Sequence, residues 1–154
     1  MLATVLAATA LAPATFAAAP GWHVGAGRVH ACPGVPATTC QSVSTWAATV
    51  PWRDCAECLP HRTLAKLPAD GIALQLLLSR ERTTPNWIRP LSSPPRLPAA
   101  CPGLEGLPSR IGVVQILGTR HGLHAYLFVF FGRTRPTPAQ HALARRELAT
   151  AHFP

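Results

Sequence analysis

The stretch Trp52-Arg53-Asp54-Cys55-Ala56-Glu57-Cys58-Leu59-Pro60-His61 gathers the residue types in this chain best suited to chemistry. Two cysteines three apart can cycle between dithiol and disulfide when one thiol pKa is depressed. That depression needs the first cysteine at a helix start after a strand. Pro51 and Pro60 leave little room for such a helix. Alternatively, Cys55, Cys58 and His61 are three zinc ligands, with Cys40 or Cys101 as the fourth. A zinc knuckle usually brings a second C-x-x-C or an H-x-x-x-H, and neither is present. Haem attachment requires His directly after the second cysteine, where Leu59 stands. The five cysteines (Cys32, Cys40, Cys55, Cys58 and Cys101) are odd in number, so at least one thiol stays free or pairs between molecules. All five are therefore expected to be structural, with no metal and no cofactor. A thiol-disulfide or zinc role for Cys55, Cys58 and His61 is the alternative.

Other constellations are incomplete. Gly25-Ala26-Gly27-Arg28-Val29-His30 begins like a dinucleotide loop but lacks the third glycine and the flanking strand and helix. No G-x-S-x-G, G-K-[ST] or H-E-x-x-H is present. Of six carboxylates, no two are nominated as an acid–base pair by their spacing. His121 and His124 flank a turn; they could share a metal but read as exposed turn histidines. The net charge of +8 supports affinity for anionic envelope components. Its arginines are scattered and the strongest aromatics sit in a core-like run, which argues against specific nucleic-acid binding. Another envelope protein is the remaining partner class.

These residues must be positioned by a scaffold, and 154 residues suffice for one domain with a real core. Its centre is Arg110–Arg133, where the apolar runs Ile111–Leu117 and Leu123–Phe131 flank the Gly-bounded link 118–122. Dense Val, Ile, Phe and Tyr in short runs predict a β-hairpin, with the second strand covered on both faces. Ile72–Leu78 is a third strand, entered through Asp70-Gly71. Trp22–Val29 and Ser42–Val50 are weaker strand candidates. Residues 83–108 form a Pro-rich loop that cannot be helix or a central strand. Thr137-Pro138-Ala139-Gln140 predicts a capping box opening a helix from Pro138 to Ala151.

Residues 1–20 are uncharged and mostly Ala, Leu, Thr and Val, ending in small residues with an A-x-A site at Ala17–Ala19. They read as an export signal or apolar leader preceding a domain over 21–154. An N-terminal anchor is the only membrane span the composition allows for. Exported disulfide-bearing domains live in oxidising compartments.

The segments 67–82 (L-P-A-D-G-I-A-L-Q-L-L-L-S-R-E-R) and 131–149 (F-G-R-T-R-P-T-P-A-Q-H-A-L-A-R-R-E-L-A) resemble parts of a family of uncharacterised exported or membrane-anchored proteins from high-GC bacteria. The resemblance implies export and an α+β fold; it carries no activity, cofactor or site residue. The expectation is an α+β domain with a small antiparallel sheet of three to four strands. The C-terminal helix packs on one face, and the Cys/Pro-rich N-terminal half covers the rest. Its expected function is a non-enzymatic exported structural or binding module at the cell envelope.

Overall fold

A computed structural model describes residues 10–81, 85–92 and 94–154. The first nine residues of the leader, and Arg82, Thr83, Thr84 and Ser93 around the Pro-rich loop, lie outside these described residues. The strands are β1 (His23–Ala26), β2 (His30–Ala31), β3 (Cys40–Ala48), β4 (Ile72–Glu81), β5 (Gly112–Arg120) and β6 (Leu123–Phe131). A short helix α1 (His61–Ala65) and the C-terminal α2 (Pro138–Ala149) complete the elements. All pairings are antiparallel, in the order β1-β3-β4-β6-β5. β2 continues the edge that β1 begins along β3.

The fold is α+β, but the sheet has six strands where three to four were expected. The Cys/Pro-rich N-terminal half does not merely cover the sheet; it contributes β1, β2 and β3 to it. β1 falls within the strand candidate Trp22–Val29, and β3 lies two residues earlier at each end than Ser42–Val50; its signal is weak because Ser42, Ser44 and Thr45 take buried positions that usually go to aliphatic residues. The hairpin is also tighter than expected. β5 runs on to Arg120, leaving a two-residue turn in which His121 (φ 50) and Gly122 (φ 75) both have positive φ. Such a turn matches the twist of its flanking strands. The Pro-rich loop helps to hold β5 extended: Pro90 bridges Thr119 in parallel, and Thr119 N donates to Arg89 O at 2.9 Å.

Antiparallel partners share a face, so the register divides the core in two. On one face Val43, Leu74, Leu76, Leu78, Val114, Leu127, Val129 and Phe131 pack beneath α2 and the Pro-rich loop. On the other, Ala48, Ala73, Val113 and Phe130 meet Leu64 and Leu67 beside α1. β6 is thus covered on both sides along most of its length. Gly132 permits the closest approach of chain to chain, since a Cβ there would run into the carbonyl of Pro68.

Helix α2 begins as its residues dictate. Thr137 Oγ1 accepts from Gln140 N at 3.2 Å, and Gln140 Oε1 accepts from Thr137 N at 3.0 Å. Gln140 Nε2 also donates to the carbonyls of Ala69 and Gly71, tying the helix start to the turn before β4. The helix ends two residues earlier than expected, with Thr150 Oγ1 donating to Glu147 O.

Leu11, Ala14 and Phe16, which the composition assigns to the leader, are buried in the main core. Thr15 bridges His152 through two backbone hydrogen bonds, and Thr45 Oγ1 donates to Ala14 O at 2.6 Å. The packed body therefore begins upstream of residue 20.

Candidate functional site

Cys55 and Cys58 are bonded to each other, 5.2 Å apart at Cα, in an exposed loop that lies over the sheet. Two polar side chains hold this loop. Gln75, a lone amide within the apolar β4, donates from Nε2 to Ala56 O at 2.7 Å and Cys58 O at 2.8 Å. Asp54 accepts from Thr63 N at 2.8 Å, Thr63 Oγ1 at 2.6 Å and Arg62 N at 3.1 Å, so it caps the first turn of α1 from outside the helix. The N-cap residue itself, Pro60, has no side chain able to do this.

Burial of Asp54 pushes its pKa up, but the hydrogen bonds from Thr63 and Arg62 and the Arg62 charge outweigh it and leave the carboxyl below its ordinary value of 3.8. A folded-state pKa below the unfolded one contributes stability that is present above the unfolded value and lost as pH falls through the folded one. Asp54→Ala is expected to cost about 1–2 kcal/mol at neutral pH. The gap from wild type should narrow in acid below 3.8. Urea unfolding of both proteins at the two pH values checks this; a gap independent of pH would reject the capping role.

The loop presents neither cysteine at a helix start. Its cysteines stand in a turn before Pro60, not at the start of a helix, and α1 is only five residues long. The Asp54 carboxylate is turned onto Thr63 and Arg62. His61 is exposed at the start of α1. Of the fourth ligands considered, Cys40 is bonded to Cys32, and Cys101 is buried in the main core beside Gly112. Cys101 carries the odd, free thiol; burial pushes its pKa up, and Sγ donates to Pro98 O at 3.7 Å. Among the described residues, no three His, Cys, Asp or Glu side chains are placed to hold a metal ion.

Sequence reasoning missed a polar row at the opposite end of the same sheet face. His30 and Ser42 are paired across β2 and β3, and Ser79 and His124 across β4 and β6. Ser42 Oγ lies 3.2 Å from His30 Nε2, while His30 Nδ1 lies 3.1 Å from Arg28 O. With Nδ1 donating to that carbonyl, Nε2 accepts from the serine: a hydroxyl, a base and an orienting group. Ser42 is only 4% exposed, however, which closes its Oγ to a substrate carbonyl. The pair fastens β2 to β3.

Alongside it, Glu81 Oε1 accepts from Ser79 Oγ at 3.1 Å and sits 3.2 Å from His124 Nδ1. Burial, then the Glu81 charge, push the Tyr126 hydroxyl pKa up. His124 is 1% exposed, unlike the open turn residue its spacing suggests; His121 is exposed and meets Pro154 O. The signal for this row was faint. Only the period-2 placement of Ser42, Ser44 and Ser79 against His124 hints at a shared face, and that requires the strand register.

Comparison with known proteins finds no matching family model, no matching curated protein and no matching solved structure. Among the described residues, no helix is long and apolar enough to cross a membrane.

Proposed function

We propose that the chain is an exported module of the cell envelope that binds a partner or ligand and catalyses no reaction. The observation that carries this reading is the pairing of four of the five cysteines as Cys32–Cys40 and Cys55–Cys58. Such bonds persist in oxidising compartments and are reduced in the cytosol. The apolar leader and the resemblance to exported proteins of high-GC bacteria support the same reading. Burial of Ser42 and the placement of Cys55 away from a helix start support binding over catalysis. The core role of Leu11, Ala14 and Phe16 adds a condition: any cleavage of the leader lies before Leu11.

Fractionation of the native host, with alkylation and intact-mass measurement, tests this. The expected result is protein outside the cytosol with two disulfides, one alkylatable thiol and an N-terminus upstream of Leu11. Cytosolic protein with five alkylatable thiols would overturn it. Exposure of both Cys55 and Cys58 favours thiol exchange as a second reading. Insulin reduction that disappears in Cys55→Ser would promote it.

A further inference from the structure

Where the Pro-rich loop meets α2, a groove of about 480 Å³ opens between Arg96–Leu97 and Pro138, His141, Ala142 and Arg145. A second hollow, lined by Ala99 and Pro136, extends it across the shared residues Leu97, Pro138 and His141. No carboxylate lines either part. Arg96 and Arg145 are exposed, and neither forms a hydrogen bond or ion pair with a described residue. His141 is locked in place by its ring, which stacks on Phe131 at 5.4 Å and 14°. Its Nε2 is enclosed and has no hydrogen-bond partner.

We infer that this groove is a binding site for a phosphate group, an assignment that rests on the binding-module reading above and names its ligand chemistry. Two guanidinium groups from separate elements can grip an oxyanion from both sides, each through paired N–H donors. The groove borders the N-terminal turns of a twelve-residue helix, where the helix dipole favours negative charge. Pro136 and Pro138 limit backbone motion on one wall. The phosphate can belong to a lipid headgroup or to a soluble phosphate; the recognition chemistry is the same.

Full-length oxidised protein is titrated with inorganic phosphate by calorimetry. It is also sedimented with vesicles of phosphatidylcholine, with and without phosphatidylglycerol. Saturable binding to one probe is expected, and Arg96→Gln or Arg145→Gln should each weaken it about tenfold. The pair Arg28→Gln/Arg53→Gln removes two charges from elsewhere on the surface and should leave it unchanged. Loss of phosphatidylglycerol-dependent sedimentation in the groove variants assigns a headgroup; loss of phosphate binding alone assigns a soluble ligand. Equal weakening in the control pair would mean diffuse charge attraction and overturn the site, as would no saturable binding to either probe. The two readings fail separately. Envelope protein with both disulfides but no binding sinks this site alone, whereas cytosolic protein with reduced thiols sinks the export reading whatever the groove binds.

Discussion

Phe131→Ala is expected to destabilise the domain by about 3–5 kcal/mol, the usual cost of emptying a fully buried aromatic site. Phe131 has no exposed surface, pairs with Ile72 and Gly112 across β4 and β5, and carries His141 stacked on its ring. Removing the ring thus opens the sheet and frees the first turns of α2 together. Domains of this size are typically stable by about 5–15 kcal/mol, so the variant should be close to unfolding at growth temperature. The neighbouring Phe128 appears equivalent in sequence, but it is only half-buried at the border of the second core, and Phe128→Ala should cost less. Urea unfolding of the two variants checks the order. A loss below about 1 kcal/mol for Phe131→Ala would show that the core is misassigned.

A chain starting at Pro20 should be similarly damaged, whereas one starting at Ala10 should keep every buried contact described above. The shorter chain loses Leu11 and Phe16, each nearly fully buried, worth together about 3–6 kcal/mol of apolar burial. It also loses the backbone pair between Thr15 and His152 and the acceptor of the Thr45 hydroxyl. The exposed face of β1 and β3 would then carry Val24, Val43 and Ala47 without cover. Thermal unfolding of the two truncations, read by circular dichroism, distinguishes them. Equal midpoints would mean that residues 10–19 are dispensable and would restore Ala17–Ala19 as a tenable cleavage site.

The elements legible in the sequence are those whose signal is local. The aromatic and β-branched runs of β5 and β6 read as strands, and Thr137, Pro138 and Gln140 read as a helix start, because each pattern depends on neighbours a few residues away. β4 was legible for the same reason, through Asp70-Gly71 and the apolar run that follows. β3 was only faintly legible, as the candidate Ser42–Val50, because its serines are buried by register against β4 and not by their own hydrophobicity. The burial of Leu11, Ala14 and Phe16 was equally hidden, since an Ala- and Leu-rich leader has the same composition whether it is exported or packed on a sheet. C-A-E-C announced itself by spacing, but that spacing does not distinguish a staple from a centre of reactivity. Gln75 and Asp54, which pin the loop, lie 17 and 9 residues in sequence from their partners Cys58 and Thr63. The groove joins Arg96 to Arg145 across two elements that meet only when the Pro-rich loop folds back on α2. Local sequence by itself determined β4, β5, β6 and the capped start of α2. Which charges converge and which thiols pair was decided by the tertiary fold, because those contacts exist only once distant segments are brought together.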